Sequence, residues 1–158
     1  MPDRPSIPIV SQGVNCAVVR KSSDGWEVLL LRRASGSIYA DHWGLVSGTK
    51  QEGETAPQVA LREIAEETGL RLVSLWATEY VIQFYEPLKD EVWLLPVFLA
   101  IVDNNAEPTL CGENSGYLWA DLQTAKETVS WRNLATVLES IFDELSQFPA
   151  KNWKQIPL

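Results

Sequence analysis

Gly48-Thr-Lys-Gln-Glu-Gly-Glu54, followed by Arg62-Glu-Ile-Ala-Glu-Glu-Thr-Gly-Leu70, gathers five carboxylates, one arginine and three glycines within 23 residues. Between the two halves lie helix signals. Thr55 suits an N-cap, Pro57 falls in a first turn where a missing N–H costs little, and Gly69 can adopt the left-handed conformation that ends a helix. The expectation is a helix over 56–68. At about 100° per residue, Leu61, Ile64, Ala65 and Thr68 should share one side, and Glu63, Glu66 and Glu67 the opposite one. The apolar stripe would then meet a core and the carboxylates a cleft.

Like charges three and four residues apart repel by roughly 0.2–0.5 kcal/mol per pair on an exposed helix, and by more where water is excluded. A positive partner is therefore expected among them. Three glutamates with no neighbouring His or Cys suit a hard divalent cation, and Mg²⁺ is usually held by a few carboxylates together with waters and phosphate oxygens. Arg62, at the edge of the acidic face, could clamp Glu54 and orient the metal-binding carboxylates. A Glu-rich helix face alone is more often a solvated surface. Here the joint spacing decides: Gly48, Glu54, Arg62, Glu63, Ile64, Glu66, Glu67, Gly69 and Leu70 match the pattern G-x5-E-x7-R-E-U-x-E-E-x-G-U, with U apolar, at every specified position.

That pattern is the Nudix box, and the chain resembles the Nudix hydrolases. The resemblance implies a loop-helix-loop whose carboxylates bind Mg²⁺, with Mn²⁺ as a substitute, and hydrolysis of a diphosphate linked to another moiety. It makes Glu63, Glu66 and Glu67 metal ligands, the Gly48 carbonyl a further ligand, and Arg62 with Glu54 a supporting ion pair. Many family members read Pro-Gly-Gly before the box, whereas this chain has Val46-Ser47-Gly48. Beyond the box, the segments Trp43-Gly-Leu-Val-Ser-Gly48, Glu52-Gly-Glu-Thr-Ala-Pro-Gln58, Val28-Leu-Leu-Leu-Arg-Arg33 and Ser130-Trp-Arg-Asn133 look like the dihydroneopterin triphosphate and dNTP pyrophosphohydrolase branch. Glu113, six residues before Trp119, looks similar too. The substrate implied is a small nucleotide or pterin polyphosphate, cleaved to a monophosphate and pyrophosphate. Dinucleoside polyphosphates or nucleotide sugars are the alternative within enzymes, and a non-catalytic binding or regulatory module is the alternative outside them.

Composition sets the frame. A chain of 158 residues, 46% hydrophobic, is long enough for one domain with a real core and too short for two ordinary ones. A net charge of −8 with thirteen scattered Lys and Arg disfavours a polymeric nucleic acid partner. Two cysteines, Cys16 and Cys111, are too few for a disulfide framework and are expected as free thiols. Neither a leader pattern nor a run of about 18 apolar residues occurs, so the expectation is a cytoplasmic protein with no membrane partner. A homodimer is compatible with the sequence, which does not set the oligomeric state.

Along the chain, 1–8 carries three prolines and is expected as a flexible arm, 9–150 as one Nudix hydrolase domain, and 151–158 as a C-terminal tail. Strands are expected over 14–20 and 26–32, joined by a hairpin at Ser22-Ser-Asp-Gly25, then over 43–46, 70–85, 92–102 and 118–120. Pro96 suggests a bulge or an edge. Helices are expected over 121–127 and 133–148, the second because Leu134, Val137, Leu138, Ile141, Phe142 and Leu145 recur at helical spacing. Strands around a central helix suit a mixed sheet between helices, and the resemblance sharpens this to an α/β/α sandwich.

Outside the box, Glu113 occupies a loop where many family members place an extra carboxylate that binds metal or acts as general base. Arg32 and Arg33 end a strand, and alternation should bring only one of them to the cleft to hold phosphate oxygens. Trp43, Tyr39, Phe84 and Trp93 could stack on a planar base or pterin, although core packing is the better reading for each. The one histidine, His42, argues against a Ser/His/Asp triad, no Cys/His cluster offers a zinc site, and His42 is expected as a loop residue beside the site.

Overall fold

The computed structural model describes residues 4–158. Its elements run β1 (Ile9–Val10), β2 (Gly13–Ser22), β3 (Gly25–Arg33), β4 (Trp43–Gly44), β5 (Val46–Thr49), α1 (Ala56–Thr68), β6 (Leu72–Glu86), β7 (Glu91–Val102), β8 (Asn114–Ala120), α2 (Leu122–Thr128), α3 (Arg132–Leu145) and β9 (Lys154–Ile156).

Alternation along β2 explains the layers. Ala17 and Val19 enter one apolar cluster with Ala125 of α2 and Leu134, Leu138, Ile141 and Leu145 of α3. Val14, Cys16 and Val18 enter another, with Val59, Ala60 and Ile64 of α1. A sheet buried on both faces reads as a continuous apolar run rather than as strict alternation, which is the character of Cys16 to Val19 and of Val28 to Leu31. The result is an α/β/α sandwich. Each fully buried Leu, Ile or Val contributes about 1.5–3 kcal/mol, so both faces hold the sheet.

Among the described residues the sheet has nine strands in the order β4-β3-β2-β7-β6-β9, with β1 on β7, β5 on β2 and β8 on β3. The pairs β2·β7 and β1·β7 are parallel and the others antiparallel, so the sheet is mixed. Pro96 stands between the stretch of β7 paired with β1 and the stretch paired with β2, where its missing N–H removes no bond on that side. Its partner on β6 is Val81, beside a register shift between Ala77 and Val81, so the expected bulge is present on the facing strand.

Three expectations need correction. The strand expected over 43–46 is split, because the chain leaves β3 after Gly44 and joins β2 at Val46, carrying Gly48 into the sheet. The last strand starts at Asn114 rather than 118, its polar Ser115-Gly116 having masked the pattern. The tail expected over 151–158 contains β9, paired with β6 at Leu75 to Ala77, and Trp153 is buried with its Nε1 donating to Glu144 Oε2 at 2.8 Å. Of the arm expected over 1–8, residues 1–3 lie outside the described residues, and the Pro8 carbonyl accepts from Val92 N at 2.9 Å. Among the described residues no helix is long and apolar enough to cross a membrane.

Candidate active site

The site begins with the caps of α1. Thr55 Oγ1 accepts from Gln58 N at 3.4 Å, and Gln58 Oε1 accepts from Thr55 N at 2.8 Å, a reciprocal capping box. Gly69 closes the helix at φ 66°, its N–H donating to Ala65 O at 2.9 Å. The helix spans the predicted residues, but its faces differ from the expectation. Ala65 is exposed, whereas Glu63 and Glu67 are buried with Ala60, Ile64 and Thr68. The buried arc is therefore centred between Ala60 and Glu67 instead of on Ile64. The small Ala60 lets the helix approach the sheet, and two carboxylates are carried into the seam.

Arg62 is the hub of this seam. Its Nε donates to Glu54 Oε1 at 2.6 Å and its Nη2 to Glu54 Oε2 at 3.0 Å, a bidentate fork. The same Nη2 reaches Thr49 O at 2.9 Å, and Nη1 bridges Glu63 Oε1 at 2.8 Å and Glu66 Oε2 at 3.2 Å. Glu54 is also held by Gln51 N at 2.7 Å. The Arg62 guanidinium and the Gln51 N–H hold the Glu54 carboxyl below its usual range, so it stays ionised. Gly48 packs so closely on Glu63 that a Cβ there would collide with the carboxyl group. Only glycine fits.

Burial, followed by the charges of Glu63 and Glu113, pushes the Glu67 carboxyl up to about 8, against the opposing effects of Arg33 and Asn114. Glu63 is also raised, chiefly by burial, with Arg62 opposing. Burial, Glu67 and Glu63 raise the Cys16 thiol beneath them, which keeps it protonated. It is a packing residue, and both cysteines are free.

Arg33 and Arg32 separate as alternation requires. Arg32 pairs with Asp41 at 2.9 Å on the exposed side, while Arg33 lines the cleft with its Nη2 at 3.4 Å from Ser47 Oγ. A register shift between Arg32 and Arg33 on the β8 side marks the turning point. Of the two arginines only Arg33 lines the cavities. Glu113 O accepts from Ala34 N at 3.0 Å, which places the Glu113 side chain in the cleft wall.

Two cavities share this wall. The inner, about 320 Å³, runs from Arg33, Glu67 and Glu113 to Tyr39, Phe84 and Trp131. The outer, about 780 Å³, is more polar and adds Lys50, Arg62, Glu63, Glu66, Lys89 and Trp93. Tyr39 and Glu86 line both and are joined across the mouth by a hydrogen bond of 2.7 Å. Trp43 lines neither and packs in the α3 core, as the core-packing reading expects, so its candidate role in stacking on substrate has no support from the cavity. The aromatic that takes its place is Trp131, stacked on His42 at 5.2 Å and met edge-on by Tyr39 at 5.6 Å. The Ser130-Trp131-Arg132-Asn133 motif was the signal for it, but nothing in the sequence showed that the loop folds over the cavity.

The residues fit a divalent cation. Glu63 and Glu67 are buried acids raised chiefly by burial and then by neighbouring carboxylates, and Gly48 has no side chain to obstruct Glu63. Among the described residues, no three Asp, Glu, His or Cys side chains already converge as a cage. Magnesium needs only one or two carboxylates, the rest of its shell being water and phosphate. Glu63, Glu66, Glu67, Glu113 and the Gly48 carbonyl are the groups available to hold it.

Comparison with known proteins places this geometry. A family model described as the NUDIX domain matches residues 11–140. The chain is 28% identical over 149 residues to the dihydroneopterin triphosphate diphosphatase of Escherichia coli, covering 85% of this chain and 96% of that protein. It is 30% identical over 128 residues to the asymmetrical bis(5'-nucleosyl)-tetraphosphatase of Mus musculus, covering 77% of this chain and 82% of that one. An octanoyltransferase of Myxococcus xanthus is 31% identical over 134 residues, 84% of this chain, but the chain spans only 37% of its length. Among solved structures, an Ap4A hydrolase from C. elegans superposes with a TM-score of 0.76 at 22% identity, over 88% of this chain and 99% of that one. With the family model covering most of its length and the box residues assembled at one seam, this chain belongs to the NUDIX domain family, the family of the Nudix hydrolases.

Proposed function

We propose that this protein is a Mg²⁺-dependent pyrophosphohydrolase, with Mn²⁺ as a substitute, that cleaves a nucleoside-triphosphate-like substrate, a dNTP or dihydroneopterin triphosphate, to the monophosphate and pyrophosphate. The observation that carries the reading is the meeting of Arg33, Glu67 and Glu113 at one end of a cavity whose other end is aromatic, with Glu63 beside Glu67 on the wall of the outer cavity. One end suits phosphates and the other a planar ring.

Bound at Glu63, Glu66, Glu67, Glu113 and the Gly48 carbonyl, the cation would neutralise phosphate charge and make water a better nucleophile. The chain's own residues do the rest. Arg33 grips phosphate oxygens, Arg62 with Glu54 fixes the carboxylates on α1, and Glu113 or a box glutamate takes the proton of the attacking water. A cytoplasmic setting suits such a substrate. A screen of dNTPs, dihydroneopterin triphosphate, Ap4A and nucleotide sugars with Mg²⁺ tests the reading: pyrophosphate released from a triphosphate, and lost on chelation, is the expected outcome. Turnover of none of them would count against it.

A second reading, a dinucleoside polyphosphate or nucleotide sugar as substrate, is favoured by the likeness to the mouse tetraphosphatase and by the outer cavity, where Phe84 and Trp93 stack at 6.3 Å. Ap4A preferred in the same screen would select it. A binding module without turnover has no damaged box residue in its support.

A further inference from the structure

Asn114 opens β8 one residue after Glu113, with its backbone opposite Arg33. Its Nδ2 is buried and has no hydrogen-bond partner. The side chain stands near Glu67, whose charged form it favours, yet no hydrogen bond of normal geometry joins the two. It lines the inner cavity and not the outer one. A buried donor left unpaired is destabilising, and such atoms in a native fold call for a reason. The other one found, Trp119 Nε1, lines neither cavity and lies under the Arg20 guanidinium, 4.2 Å from its ring. Asn114 differs in that its environment is a cavity wall at the charged end, among Arg33, Glu67 and Glu113. The Glu67 carboxylate stands beside the amide but out of hydrogen-bond geometry, which leaves Nδ2 open to an acceptor that a ligand would bring. Phosphate oxygens are strong acceptors, and a neutral amide can hold one without adding charge to the carboxylates.

We propose that Asn114 is a substrate-binding residue whose Nδ2 donates to a non-bridging phosphate oxygen of the polyphosphate, at the inner end of the site beside Arg33. The assignment rests on the hydrolase reading above and adds a contact that the box does not contain. The test compares wild type with Asn114→Ala, Asn114→Leu and Asn114→His, since the Nδ1 of histidine lies at the same bond separation from Cβ as the amide nitrogen. Alanine and leucine should lower kcat/KM on the best substrate of the screen by about 10- to 100-fold, the range of one lost polar contact in a dry site. Histidine should recover most of that loss. Without metal or substrate, the alanine and leucine variants should melt no lower than wild type, because an unpaired donor has been removed. Their thermal shift with inorganic tripolyphosphate and Mg²⁺ should shrink. An unchanged tripolyphosphate shift, or a fall in the ligand-free melting temperature of both variants, would overturn the proposal by showing a structural amide. If wild type hydrolyses no compound in the screen, the hydrolase reading fails by itself, and the tripolyphosphate shifts still decide the role of Asn114.

Discussion

The two long helices lie on opposite faces of one sheet, and they are held there by different means. Helix α3 buries Leu134, Leu138, Ile141 and Leu145, all at 4% exposure or less, and its N-cap Trp131 makes no side-chain capping bond. Helix α1 buries two glutamates among its apolar residues, and it is fixed by a capping box and by Arg62, whose guanidinium touches Glu54, Glu63, Glu66 and Thr49 O. Packing suffices for the first. The second carries charges that packing alone would expel, so hydrogen bonds must define its position. Both faces bury an apolar cluster, but among the described residues the buried carboxylates are confined to the α1 face, while the α3 face contributes Trp131, Asn133 and Leu134 to the inner cavity. Trp131 is a poor cap whose ring lines the cavity instead.

The sharpest way to break this division is Glu67→Gln. Turnover should fall by at least about 10³-fold, some 4 kcal/mol of barrier at 1.36 kcal/mol per decade. The fold, in contrast, should gain. In the metal-free protein the Glu67 carboxyl is raised to about 8, well above an unfolded value near 4.5. Between those pH values the folded chain binds more protons than the unfolded one, so stability falls as pH rises through the window. Glutamine cannot titrate and should flatten that slope. Melting curves of the metal-free proteins from pH 5 to 8 read it directly. A variant with near-normal turnover, or one that melts lower than wild type at pH 8, would contradict the site.

Leu138→Ala probes the other face. Leu138 is fully buried in the α3 cluster, and its truncation should cost about 2–5 kcal/mol. For a domain of this size that is a fall in Tm of roughly 5–20 °C. Below the new Tm, kcat should stay within about twofold of wild type, because Leu138 lines neither cavity. A large loss of kcat in folded protein would mean that the two faces are coupled.

The same division explains what the sequence disclosed. Helix α1 was legible to the residue because its caps are local, Thr55, Pro57 and Gly69 acting within a turn. Helix α3 and the hairpin at Ser22 to Gly25 were legible from periodicity and turn chemistry. The faces of α1 were not, since a helical wheel centred on apolar residues cannot register that Glu67 is buried beside Ala60. The aromatic wall of the inner cavity was legible only in part: the sequence offers Tyr39 and Phe84 as stacking candidates but not Trp131. Trp131, Tyr39 and Phe84 come from three separate segments, and only the folded sheet brings them around one cavity while sending Trp43 to the core. Strand β9 was missed for a related reason: three residues, Lys154 to Ile156, carry no pattern, and their pairing depends on the free edge of β6.

The smallest expected effect lies in the cap of α1, and its two bonds allow a ranking. Thr55→Ala removes the longer bond, 3.4 Å to Gln58 N, and leaves the backbone N–H of residue 55 bound to Gln58 Oε1 at 2.8 Å. The loss should fall at the lower end of N-cap values, about 0.5–1 kcal/mol. Gln58→Ala removes the shorter bond and should cost at least as much. Neither residue touches the carboxylates, and the loop before α1 stays anchored by Glu54 on Arg62 and Gln51 N. The Mg²⁺ dependence of turnover should therefore be unchanged in both variants. If either one shifts the Mg²⁺ requirement several-fold while its Tm moves by only a few degrees, then the cap sets the position of Glu63 and Glu67, and the site on α1 depends on its first turn as much as on Arg62.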